Sequence, residues 1–148
     1  MGLIRPPQRP PLYGVDTMLF IYHFENHEQL GPLAEPVLRA AENGACHLVT
    51  SMLTLLEMLV VPKRLGLTAL CHKYRELLDS FPNLSLQPID REVLEIASDL
   101  RAAYNIRTPD AIQLATAIGA RADLFISQDG RLKKVEAIRV VPLEKISL

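Results

Sequence analysis

Residues 108–130 read TPDAIQLATAIGARADLFISQDG, and this stretch decides the fold. Thr108 offers a helix N-cap, Pro109 suits the first helical position, and Asp110 lies in the first turn, facing the positive helix end. A helix therefore opens here. Asp123 to Ser127 then reads as a strand, and Gly130 marks a turn.

Outward from this unit the same alternation continues. Arg139 to Leu143 reads as an edge strand, since Pro142 cannot donate a ladder hydrogen bond. Upstream, Asp90 can cap a helix whose apolar face is Val93, Ile96, Ala97 and Leu100, ending near Asn105. Leu84 to Ile89 reads as a strand, preceded by a helix from about Leu67 to Asp79 and another from Ser51 to about Val61, where Pro62 should end it. His47–Thr50 is a further strand, and Leu33 to Glu42, starting near Pro32, is a helix stopped by Asn43-Gly44. Tyr13 to Asp16 is a short buried strand running into helix at Met18-Leu19-Phe20-Ile21. Strands alternating with helices imply a parallel sheet covered on both faces.

The chain has 148 residues, 49% hydrophobic and 22% charged, which supports one core and is too short for two. Residues 1–12 read as a Pro-rich leader and 13–148 as a single domain. Cys46 and Cys71 have no CxxC spacing and lie in or beside apolar segments, so they read as packing residues of a reduced, cytoplasmic protein. The longest apolar stretch, Met52 to Val61, is interrupted by Thr54 and Glu57 and falls short of a membrane span. A net charge of −1 argues, taken alone, against a nucleic-acid binder. Residues 101–148 nevertheless carry Arg101, Arg107, Arg121, Arg131, Lys133, Lys134, Arg139 and Lys145, a local attraction for phosphate.

Four acids stand where segments begin or end: Asp16, Glu57, Asp110 and Asp129. Ligands of parallel sheets gather outside the strands' carboxyl ends, where Asp16 and Asp129 fall. Acids that converge repel one another unless a cation neutralises them, and hard oxygen ligands select Mg²⁺ or Mn²⁺. Singly, Asp16 and Asp129 have ordinary explanations as turn residues, and Asp110 as a helix-dipole partner. Glu57 differs, because Leu53, Leu55, Leu56, Met58, Leu59, Val60 and Val61 leave only the narrow polar stripe Thr50, Thr54 and Glu57. A carboxylate in so apolar a helix is expected to need a basic residue or a cation to offset desolvation.

The ordered set Val15-Asp16-Thr17, Thr50-Ser51-x-x-Thr54-x-x-Glu57, Thr108-Pro109-Asp110-Ala111-x-x-Leu114-Ala115-x-Ala117 and Phe125-Ile126-Ser127-x-Asp129 resembles the PIN-domain nucleases, particularly the VapC-like toxins. The resemblance spans about Gly14 to Leu143. It implies a three-layer α/β/α sandwich whose acidic pocket holds one or two Mg²⁺ or Mn²⁺ ions and hydrolyses RNA by a metal-activated water. By this resemblance Asp16, Glu57, Asp110 and Asp129 are the catalytic metal ligands, with Thr17, Thr54 and Ser127 beside them. Met18 departs from the usual Asn or Ser, and the Pro-rich leader is atypical. The resemblance also implies an RNA substrate, a cognate antitoxin and a homodimer.

Other readings are narrower. His23 and His27 are spaced i,i+4, but Phe24 stands where a zincin helix needs Glu, so they read as surface or substrate-groove residues. An aspartyl-phosphate enzyme would need a second Asp at position 18, where Met18 stands. No GxSxG elbow, P-loop or Gly-rich dinucleotide turn is present in the sequence. A non-catalytic module binding RNA or protein and a housekeeping RNA-processing nuclease remain as alternatives.

Overall fold

The computed structural model describes residues 9–148, and its sheet is built around the first strand. β1 (Leu12–Val15) leads to α1 (Thr17–Phe24), α2 (Gly31–Glu42), β2 (His47–Ser51), α3 (Leu53–Arg64), α4 (Thr68–Ser80) and β3 (Leu84–Gln87). Then come α5 (Arg91–Ala103), α6 (Thr108–Gly119), β4 (Leu124–Ile126) and β5 (Val140–Val141), with 3₁₀ turns at Gly130–Lys134 and Leu143–Lys145. Among the described residues the strand order is β3-β2-β1-β4-β5, and every pair is parallel.

Strand side chains alternate between two cores, which makes the protein the expected three-layer α/β sandwich. On one face Val15, Leu48 and Ile126 meet Leu19, Phe20, Val37, Leu38, Met58 and Tyr74 of α1 to α4. On the other, Phe125 meets Val93, Ala97 and Leu100 of α5 and Ala111, Leu114, Ala115 and Ala117 of α6. Gly14 sits under α6, and a Cβ there would lie 2.4 Å from the Ala117 Cβ and 2.9 Å from the Phe125 ring. The missing side chain lets α6 approach the sheet, which sets the height of its first turn above the edge of β1.

Several boundaries differ from expectation for identifiable reasons. Pro62 lies inside α3, which continues to Arg64. A proline this near the end removes a single intrahelical hydrogen bond, its ring is buried, and Gly66 at φ +70° closes the turn. The N-cap of α6 is Arg107 rather than Thr108, and no side chain caps it. Asp90 does cap α5, accepting from the Val93 N–H at 3.0 Å. The edge strand shrinks to Val140–Val141. Most of the Pro-rich leader lies outside the described residues; its last residue, Leu12, begins β1, its N–H held by Asp123 Oδ2 at 2.8 Å. Both cysteines are buried and unpaired. No helix among the described residues is long and apolar enough to cross a membrane.

Candidate active site

Parallel strands deliver the residues that follow them to one edge of the sheet, and a helix that precedes a strand starts at that edge too. Asp16 follows β1, Ser51 ends β2, Ser127 follows β4, and the first turns of α6 carry Asp110 and Gln113. Asp16 also N-caps α1, its Oδ1 accepting from the Met18 N–H at 3.1 Å. The result is a pocket of about 320 Å³ in which Asp16, Glu57 and Asp110 face one another across Thr17, Met18, Ile21, Arg107, Pro109 and Gln113.

Beneath the carboxylates lies a buried polar chain, and counting its hydrogens fixes its directions. The Val15 carbonyl can only accept, so the Thr50 hydroxyl donates to it at 2.8 Å. Thr54 must then donate to Thr50 at 2.8 Å, while Gln113 Nε2 donates to Thr54 at 3.0 Å. Gln113 Oε1 accepts from the Ser51 N–H at 3.2 Å. The Thr17 hydroxyl is then the donor to both acceptors within its reach, Glu57 Oε1 at 2.9 Å and Thr54 Oγ1 at 3.1 Å. No buried side-chain polar atom among the described residues lacks a partner. Thr17, Thr54 and Gln113 thus tie Glu57, on one helix, to the floor of a pocket built from two others.

Electrostatics single out Asp16. Desolvation raises its carboxyl to about 6; the Met18 N–H opposes the rise, nearby Asp110 and Glu57 add to it, and Ser127 works against it. A carboxyl held so far up by burial and like charge is one that a bound cation would relieve.

Glu57 is placed differently from what its apolar neighbours suggest. It is exposed, because α3 packs through Thr54, Met58, Leu59 and Pro62, with Leu55 partly buried beside them. Leu56 is 58% exposed, Val61 52% and Leu65 64%. Glu57 therefore carries no large desolvation cost, and its partner is the Thr17 hydroxyl.

Asp129 does not line the pocket of Asp16 and Glu57, and meets only Asp110 of the other three acids. It lines an adjoining depression with Asn105, Ile106, Arg107, Asp110, Arg131 and Leu132. Its carboxylate accepts from Arg131 Nε at 3.0 Å and Nη2 at 2.8 Å, and these bonds hold it below the usual carboxylate range. It also takes the Arg131 backbone N–H at 3.0 Å and so caps the 3₁₀ turn. Neither this pairing nor Gln113 is read from the sequence, whereas Arg107 is among the basic residues expected to attract phosphate. Asp110, by contrast, meets Arg107 through one contact of 3.4 Å. His23 and His27 line another pocket, with Asn26, Glu28, Gly31, Pro32 and Glu35. His27 Nδ1 accepts from the Leu30 N–H at 3.0 Å.

The donor chemistry fits a hard divalent cation. Among the described residues no three His, Cys, Asp or Glu side chains are gathered closely enough to enclose an ion by themselves. Mg²⁺ asks for less, since it keeps several waters and takes one or two carboxylates together with substrate oxygens. An open pocket with one strained and two accessible acids suits that mode better than a closed cage.

Comparison with known proteins follows the same outline. The PIN domain family matches residues 13–138. A toxin–antitoxin complex from Klebsiella pneumoniae contains a chain of the same fold, with TM-score 0.67, 24% identity, and 92% of this chain and 99% of that one covered. The DNA-bound VapBC of Salmonella typhimurium is similar at TM-score 0.65 and 14% identity, covering 90% and 98%. Among curated proteins no relative matches.

Proposed function

The chain belongs to the PIN domain family, and from that premise we propose that it is a metal-dependent endoribonuclease, the toxin of a toxin–antitoxin pair. The observation that carries the proposal is the meeting of Asp16, Glu57 and Asp110 in one pocket at the carboxyl edge of the sheet. In this reading those three hold Mg²⁺ or Mn²⁺, and Asp129 serves from the adjoining depression. The bound cation supplies Lewis-acid activation of water and neutralises charge on the phosphodiester. Thr17 Oγ1 orients Glu57, and Thr54 and Gln113 keep Thr17 in place. Met18 and Ile21 offer an apolar wall on which a nucleotide can rest. Ser127 steadies the Asp16 carboxylate.

The toxin role, rather than a housekeeping one, is supported by the likeness of nearly the whole chain to the toxin–antitoxin assemblies. A cognate antitoxin and a reducing cytoplasmic setting, in keeping with two unpaired buried cysteines, belong to the same proposal. Purified protein should cleave single-stranded RNA with Mg²⁺ or Mn²⁺ and stop in EDTA. Failure to cleave any RNA offered, with the fold intact, would favour the non-catalytic binding module.

Homodimerisation is proposed on separate grounds. Met52, Leu56, Val60, Val61, Leu65 and Leu67 are exposed apolar residues on α3 and the segments flanking it, more than scattered surface residues account for. A second copy covering this face would shield it, so light scattering should report twice the mass of the 16.5 kDa chain. A single species of chain mass at micromolar concentration would exclude the dimer.

A further inference from the structure

Arg107 is the one basic residue among those lining the acid pocket, and it lines the adjoining depression as well, so it stands on the ridge between them. Its side chain is 72% exposed, and its Nε alone is engaged, by Asp110 Oδ2 at 3.4 Å. Among the described residues no group accepts from its two terminal nitrogens. Arg131 makes the contrast: both Nε and Nη2 are spent on Asp129. One guanidinium is therefore neutralised within the protein, and the other is largely exposed and held by a single long contact through Nε.

We propose that Arg107 grips a phosphate of single-stranded RNA next to the one being cut, and so threads the strand from the acid pocket across the ridge towards Asp129. The inference rests on the reading of the pocket as an RNA site. Phosphate is the ligand class that suits a guanidinium with two parallel N–H groups free, because the pair of bonds fixes orientation as well as position. Acids alone would repel a polyanion entering the pocket. A cation on their rim lowers that barrier before any metal is counted. The contact to Asp110 is a surface pair of little strength, so an incoming phosphate can share or displace it.

The test is binding of a 2′-O-methyl single-stranded oligonucleotide, which resists cleavage, to the full chain in EDTA over a range of salt. Arg107→Ala should weaken binding about tenfold at low salt and make the slope of log K on log salt shallower by about 0.7. Arg107→Lys should restore the slope and only part of the affinity, since the charge returns without the fork. Arg39→Ala, at the opposite edge of the sheet near the end of α2, removes the same charge and should leave the slope unchanged. Wild type that fails to bind, or Arg107→Ala that binds like wild type, overturns the proposal. Binding as expected by a protein that cuts no RNA would instead remove the nuclease reading and leave the grip in place.

Discussion

Asp110→Asn is expected to cut RNA on the order of 10²–10³-fold more slowly than wild type while remaining folded. The substitution keeps the size of the side chain and removes its charge from a pocket whose chemistry depends on charge, a class of change that costs this much where electrostatic stabilisation dominates. Folding should suffer little. Asp110 lies in the first turn of α6, where its attraction to the helix dipole and its surface contact with Arg107 are together about 1 kcal/mol. Cleavage rate in Mn²⁺ and a thermal melt of the same preparation separate the two effects. A variant that cleaves at the wild-type rate would remove Asp110 from the site and point to a contaminating nuclease.

Asp16→Asn should change stability in a direction opposite to most substitutions of half-buried residues. The native carboxyl holds its proton to about pH 6, whereas in the unfolded chain it releases it near 3.8. Between those values the native state binds more protons than the unfolded state, so without metal the wild type loses stability as pH rises through that window. Above it the loss is complete, on the order of 2–3 kcal/mol. Asn carries no charge and can still accept from the Met18 N–H as N-cap. In EDTA at pH 7.5 the variant should therefore melt roughly 6–10 °C above wild type, and at about pH 3, below both values, the two should nearly coincide. Mn²⁺ should raise the melting temperature of wild type by mass action and scarcely move the variant. A wild type that grows more stable than Asp16→Asn as pH rises would show that Asp16 is not held under strain.

The elements could be read from sequence because their signals are local. Asp90 caps α5 and Asn43-Gly44 ends α2 at the positions their chemistry favours, and the alternation of strand and helix leaves a parallel sheet as the economical arrangement. Pro62 misled because the rule that proline ends helices is weak in a final turn. The site was less legible where it depends on partners. Asp129 is claimed by Arg131 only because the 3₁₀ turn folds the guanidinium back on it, which spacing does not reveal. The exposure of Glu57 follows from which face of α3 meets the sheet, and an almost wholly apolar helix does not declare that face. Gln113 did leave a trace: an amide among Ala111, Leu114 and Ala115, one helical turn from Asp110, is the kind of buried polar residue that needs partners.

The place of β1 in the middle of the sheet has a consequence for how the protein comes into being. Its neighbours are β2 on one side and β4 on the other, and the Leu12 N–H waits for Asp123, 111 residues further on. Translation at about 5–20 residues per second releases Asp16 early and Asp110, Gln113 and β4 only seconds later. Contacts so distant along the chain also make folding slow. The acid pocket, which takes Asp16 from the start of the domain and Asp110 and Gln113 from well beyond its middle, therefore cannot form until most of the chain has left the ribosome.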